Sequence, residues 1–352
     1  MSVFAIDHKK KRKTGRKTGA FRHYQNMAIE GGGVLGIAYL GALKELFADG
    51  SIDAFDCFAG SSAGSLIAIL LACGADYDFM YNTIWDFDIS KLKDRTWFGE
   101  DIIRFVSKFG FYKGDRLMQF IEDTLFRLIG IRNPTFSQIM SLTGNKLVIT
   151  GANVSRNTVE YFTPGTHPDM SAALAVRISC SIPYFFKPVK LEGDYYVDGG
   201  VLDNYPIHFF DRNECFANTR TLGLKLISNE DLKAESGLID PIRNIKDFTA
   251  SLINCMHNQA QKVHVKKGDW DRTVCIHTGD LSYIDFDITM DEKRTLMEAG
   301  KRAIYQYIVR RNSVKPDLIT DIKMYNLLKQ DAKRQEKGKK MKVRVRVKKR
   351  RT

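Results

Sequence analysis

Apolar positions along the first seventy-odd residues fall into a repeating order. "YQNMAIEGGG" is a short apolar run closed by glycines, and it predicts a buried strand from about residue 24. "GIAYLGALKELFADG" follows with apolar residues at helical spacing and ends at Gly50, the residue type that closes a helix. "IDAFDCFAG" repeats the strand pattern, and "SSAGSLIAILLACGA" repeats the helix, now apolar on every face and therefore buried. Strand, glycine turn and helix twice in succession predict a parallel α/β sheet.

Residues 76–140 mix aromatics and charges at helical spacing, as in "DRLMQFIEDTLFRLIG". "KLVITGANV" and "NTVEYFTP" predict strands, and "DMSAALAVRISCSIP" a helix stopped by Pro183. "YYVDGGVLDNYP" predicts a strand entering a turn. "PIRNIKDFTASLINCMHNQ" places Ile242, Ile245, Phe248, Leu252 and Met256 on one helical face. "RTVCIHT" predicts a strand, and "DEKRTLMEAGKRAIYQYI" an amphipathic helix closing the body near residue 312. No internal repeat is present.

Charge divides the chain differently. The formal net charge is +13 over 352 residues. Residues 1–22 carry about +7 and residues 329–352 about +11, which leaves the middle near −5. The basicity belongs to two tails, 1–22 and 313–352, that flank a body over 23–312. Their composition is too charged to fold alone. Such tails suit anionic lipid, nucleic acid or nuclear import, and "KVRVRV" alternates as an edge strand does. The N-terminus lacks the apolar core of a signal peptide, and no run is long enough to span a bilayer. An intracellular protein, cytoplasmic or peripheral to a membrane, is expected. The six cysteines form no close pairs and several sit in apolar runs, as reduced core cysteines do.

Three motifs carry chemistry. "EGGGVLG" (Glu30–Gly36) precedes a helix, so Gly31, Gly32 and Gly33 offer free N–H groups to an anion. The spacing also fits a dinucleotide loop, but Asp53 and Asp56 open the next strand where that fingerprint wants an acid at its close. Plain packing is the third alternative. "GSSAG" has Gly60 and Gly64 around Ser62, the register of a nucleophile elbow between strand and helix. The alternative is a small-residue crossing with Ser61 as helix cap. Finally, Asp198-Gly199-Gly200 ends a strand. Asp198 there is either a turn residue or a carboxylate aimed into the same crevice, able to take the Ser62 proton. None of His167, His208, His257, His264 and His277 lies beside a glycine turn that would aim it at a site. Oxyanion donors, nucleophile and base together are the parts of acyl-ester hydrolysis.

The ordered set "GGGVLG", "GSSAG", "AVRISCSIPYFFKPV" and "DGG" resembles the patatin-like phospholipase family over about residues 24–310. The resemblance implies a three-layer α/β/α sandwich around a mostly parallel sheet and a Ser–Asp dyad without histidine. Ser62 matches the nucleophile and Asp198 the base. Gly31, Gly32 and Gly33 match the oxyanion loop, with the Ala63 N–H as a further donor. Gly36, Gly60, Gly64, Gly199 and Gly200 match the motif glycines. The implied substrate is a phospholipid or other glycerolipid at a membrane surface, with no metal or cofactor. Leu35 departs from the family, which usually carries Arg or Lys there. Two rival readings stand beside this one: a hydrolase of non-lipid esters, and a non-catalytic binding protein tethered by its tails to nucleic acid or membrane.

Overall fold

The computed structural model describes residues 20–85, 109–211, 218–229, 267–283 and 287–312, with 242, 248, 251, 252, 255 and 256. The expected basic tails, apart from residues 20–22, and most of the helix expected over 241–259 lie outside the described residues. Phe21, assigned to the N-terminal tail, is instead buried and stacks on Tyr307. The body therefore begins at least two residues earlier than the charge pattern suggested.

Ten strands and seven α-helices are described. The strands are β1 (Asn26–Ile29), β2 (Cys57–Gly60), β3 (Gly110–Tyr112), β4 (Lys146–Asn153), β5 (Thr158–Phe162), β6 (Tyr184–Phe186), β7 (Val189–Leu191), β8 (Asp194–Asp198), β9 (Thr221–Ser228) and β10 (Thr273–Gly279). The helices are α1 (Ala38–Ala48), α2 (Ala63–Ala72), α3 (Tyr77–Trp85), α4 (Asp115–Ile129), α5 (Phe136–Thr143), α6 (Ala172–Ser179) and α7 (Met290–Asn312). Eight strands form one sheet in the order β10-β9-β1-β2-β4-β8-β7, with β5 paired to β4. The run from β10 to β4 is parallel; β5, β7 and β8 are antiparallel additions. β3 and β6 make a separate two-stranded parallel ribbon. β3 falls inside the stretch whose spacing suggested helix alone; three residues are too few to show a period.

The architecture is the expected mixed α/β fold around a mostly parallel sheet. Met27 and Ile29 of β1 point into the main core, shared with α1, α2, α4 and α7. Ala28 points to the opposite face, which Tyr205, Ile207 and Phe210 cover. β1 lies between β9 and β2, so the chain leaves it in one direction and returns on the other side. Open parallel sheets bind ligands at the carboxyl ends of strands at such a reversal. The glycine loop begins there, directly after Ile29.

Candidate active site

Register brings the motifs together. Ile29 of β1 pairs with Gly60 of β2, so Glu30–Gly33 leaves the sheet beside Ser61–Ser62. β4 pairs Ile149 with Gly60, and two residues further on Gly151 faces Asp198 of β8. Asp198 therefore reaches the height of the elbow. The elbow itself is tight. A side chain at Gly60 would meet the Gly64 carbonyl at 2.3 Å, and one at Gly64 the Ile29 carbonyl at 2.3 Å. A Cβ on Gly31 would meet Asn204 Oδ1 at 2.3 Å and the Ser62 Cβ at 2.9 Å.

Ser62, and not Ser61, occupies the N-cap of α2, with φ 47° and ψ −125°. A cap serine ordinarily spends its hydroxyl on the next turn's N–H. Ser62 makes no such bond; its hydroxyl lies beside the Asp198 carboxylate and favours its charged form. Positive φ on a non-glycine residue is costly and persists where surrounding contacts over-determine it. Three consecutive residues supply those contacts. The Ser62 N–H donates to Ser179 Oγ (2.9 Å), Cys180 Sγ donates to the Ser62 carbonyl (3.3 Å), and the Asp198 N–H donates to the Ser181 carbonyl (2.9 Å). Ser65 Oγ adds a bond to the Ser62 carbonyl at 2.6 Å. One turn after α6 thus holds both partners of the Ser62–Asp198 pair.

Arg177 anchors that turn. Its buried guanidinium donates to Ser181 Oγ (2.5 Å), to the Gly114 carbonyl (3.0 Å) and to the Lys113 carbonyl (2.7 Å). The Ser179–Ser181 contacts and Arg177 were not singled out from sequence. The signal was present as polar residues set into the apolar run "AVRISCSIP".

Asp198 is buried, and burial pushes its carboxyl up to about 7. The neighbouring Ser62 hydroxyl and a bond from the Gly200 N–H (2.8 Å) oppose that rise without cancelling it. Such a group is half ionised near neutrality, the condition for a general base.

The glycine loop divides its labour. The Gly31 N–H donates to the Asn204 carbonyl at 3.0 Å, and Asn204 Nδ2 donates back to the Gly31 carbonyl at 3.0 Å. Gly31 therefore fastens the loop, and the expectation that its N–H faces an anion is corrected. The N–H groups of Gly32 and Gly33 donate to no backbone carbonyl among the described residues. The Ala63 N–H, first in α2, has no acceptor within the helix. Gly36 packs against Ala63, and Gly199 against Thr150. Glu30 is tied down beneath the loop by Lys225 Nζ and by the Leu226 N–H (2.8 Å). Leu35 is buried in the core, so no cation stands at that position.

A cavity of about 120 Å³ opens on Ser62. Its walls are apolar: Leu66 and Leu70 of α2, Leu117 and Ile121 of α4, Ile182 just before β6 and Phe186 within it. No histidine lines it among the described residues. His208 lies elsewhere, bonded through Nδ1 to Asp211 (2.7 Å) and facing Asp269 through Nε2 (2.9 Å). Arg272 pairs with both of those carboxylates at 2.7 Å, which makes the cluster an ion-pair network.

With the fold and site in view, comparison with known proteins places the chain. The profile of the patatin-like phospholipases matches residues 27–211. The chain is 33% identical over 292 residues to protein R571 of Acanthamoeba polyphaga mimivirus, covering 81% of this chain and 94% of that one. It is 30% identical over 189 residues to the probable lipid hydrolase 463L of Invertebrate iridescent virus 6, covering 53% and 63%. Among solved structures, VipD from Legionella pneumophila superposes with a TM-score of 0.57 at 18% identity, over 81% of this chain and 67% of that one. The chain belongs to the patatin-like phospholipase family.

Proposed function

We propose that the protein is a lipid acyl hydrolase of phospholipase A type, cleaving fatty acyl esters of phospholipids or related glycerolipids. Membership of the patatin-like family and the likeness to a probable lipid hydrolase support lipid hydrolysis. The observation that carries the finer reading is Ser62 at the floor of an apolar cavity, beside a buried carboxylate poised near neutrality.

Asp198 takes the Ser62 hydroxyl proton as Oγ attacks the acyl carbonyl carbon. The N–H groups of Gly32, Gly33 and Ala63 receive the oxyanion, a contribution of about 10²–10³ in rate for one donor. Collapse expels the lysolipid alkoxide, which takes the proton from Asp198, and leaves an acyl-serine. Water then gives a proton to Asp198 and attacks the acyl carbon, and fatty acid departs as Ser62 recovers its proton. With Leu35 and no cation at that position of the loop, charge stabilisation there falls to the backbone. The apolar walls favour a long acyl chain over a small soluble ester.

Fatty acid release from mixed phospholipid vesicles tests this reading, with the unaltered chain against Ser62→Ala and Asp198→Ala. Both variants are expected to be inactive. Full activity in Ser62→Ala overturns the assignment. Activity confined to soluble esters points to a non-lipid hydrolase, and no activity on either points to a binding protein.

A further inference from the structure

The β3–β6 ribbon stands off the main sheet, with Gly110 opposite Tyr184 and Tyr112 opposite Phe186. One side of it belongs to the catalytic cavity, through Phe186 and Ile182. Exposed aromatic rings stand at and beside the ribbon. Phe109 is 58% exposed and Tyr184 42%. Phe109 meets Tyr195 of β8, itself 38% exposed, edge-on at 6.2 Å. Single exposed aromatics are ordinary on a protein surface; here Phe109 before β3, Tyr184 of β6 and Tyr195 of β8 stand at neighbouring positions.

Two further observations single out this place. Phe109 and Tyr184 both have left-handed backbones, with φ of 61° and 66°. Bulky side chains rarely adopt that region, and residues held there concentrate at functional sites. The same ribbon and its neighbouring strand carry Lys113, Lys187 and Lys190, all exposed. Lys190 Nζ sits 5.6 Å from the Tyr195 ring centre. Among the described residues, the exposed acids near them in the chain are Asp115 and Glu192, and Asp194 is paired with Arg156. Aromatic rings interleaved with lysines match the headgroup layer of a bilayer, where rings enter the interface and ammonium groups meet anionic phosphates.

We propose that the β3–β6 ribbon docks the protein on an anionic lipid bilayer, with Phe109, Tyr184 and Tyr195 as anchors and Lys113, Lys187 and Lys190 as cations. The proposal rests on the reading of Ser62 as a lipid hydrolase nucleophile and supplies that site with its surface. The ribbon is rigidly coupled to the site. Arg177 bonds the carbonyls of Lys113 and Lys187 with the guanidinium that also holds Ser181, whose carbonyl fixes Asp198. Docking therefore sets the cavity wall and the Ser62–Asp198 pair against the lipid in one fixed orientation.

The test is co-sedimentation of the full chain carrying Ser62→Ala, so that the vesicles are not consumed. Vesicles of phosphatidylcholine alone are compared with vesicles that include phosphatidylglycerol. The Ser62→Ala chain is expected to sediment with the mixed vesicles. Adding Phe109→Ser, Tyr184→Ser and Tyr195→Ser is expected to weaken that partition about tenfold or more. A separate double variant, Lys187→Glu with Lys190→Glu, alters exposed side chains only. It is expected to lose the preference for phosphatidylglycerol, and it carries the test if the aromatic triple fails to fold. The tails are identical in every variant and cancel. Vesicle binding that is absent, or unchanged in both variants, overturns the proposal. Hydrolysis of detergent-dispersed phospholipid by the unaltered chain reports the Ser62 chemistry separately. Activity there without ribbon-dependent binding sinks the docking surface alone, and ribbon-dependent binding without activity sinks the catalytic reading alone.

Discussion

Two carboxylate sites in this fold, at Asp198 and at Asp211, are built to opposite effect. Asp198 is met by a hydroxyl and a backbone N–H, both neutral, and its carboxyl is pushed up to about 7 by burial. Asp211 is also desolvated, but bonds from Arg272, the Asn218 N–H and His208 outweigh burial and hold its carboxyl below the usual range. Low dielectric raises a carboxyl pKa; a cation beside it restores the charged form. The absence of a cation among the groups acting on Asp198 leaves it able to exchange a proton near neutrality. Its presence at Asp211 makes a permanent ion pair that holds the chain before β9 against the end of the turn preceding β10.

The largest expected effect separates the two sites by activity. Asp198→Asn, which keeps shape but cannot take a proton, should lower kcat for fatty acid release by about 10³-fold or more. Arg272→Ala should leave kcat per folded molecule nearly unchanged. Thermal or denaturant unfolding should show the reverse order. Arg272→Ala strands two buried carboxylates and is expected to cost about 3–5 kcal/mol. A small loss there would show that water enters the cluster.

Arg177→Ala lies between the two. It removes the donor that holds Ser181, Gly114 and Lys113, and should cost roughly 2–4 kcal/mol of stability. Because Ser181 fixes Asp198, kcat should fall with it while KM changes little, and Arg177→Lys should recover part of both. Loss of stability with unaltered kcat would mean that the turn does not position the base.

Proton linkage gives the smallest and most discriminating effect. Activity should rise with pH through about 7 as Asp198 ionises. Its folded pKa is raised, so its contribution to stability is full below the unfolded carboxyl range and is lost as pH rises through about 7. Asp198→Asn should therefore be more stable than the unaltered chain at pH 8.5, by roughly 1–4 kcal/mol, and nearly level with it at pH 4. Asp211 has the opposite sign. Its folded pKa is lowered, so its contribution is present above the unfolded carboxyl pKa and is lost as pH falls through the folded value. Equal pH profiles for Asp198→Asn and the unaltered chain would remove the distinction between the sites.

The elements of the sheet up to β2, and the elbow after it, were legible in the sequence. Their signals are local: apolar runs closed by glycines, and a helix without a polar face. Gly60, Ser62 and Gly64 could be read as an elbow because steric demands at a sharp turn act on adjacent residues. β3 was not legible, since a three-residue strand carries no period. The division within the glycine loop was hidden for another reason. Gly31, Gly32 and Gly33 are identical in sequence, and only Asn204, 173 residues further on, selects Gly31 for a structural bond.

The sequence by itself determined the type of fold and the residues proposed for the site: a serine at a strand-to-helix turn, a glycine loop before it and an aspartate far downstream. Those are choices of residue type at fixed local spacing, and local sterics enforce them. Only the tertiary structure decided which serine hydroxyl lies beside Asp198, which N–H is spent and what proton affinity Asp198 has. Each of those depends on groups brought together across the sheet, Ser179, Cys180 and Ser181 on the elbow and Asn204 on the loop. It depends equally on the exclusion of water around a carboxyl whose bonding partners are neutral. Burial and long-range hydrogen bonds are properties of the packed chain, and no stretch of it carries them alone.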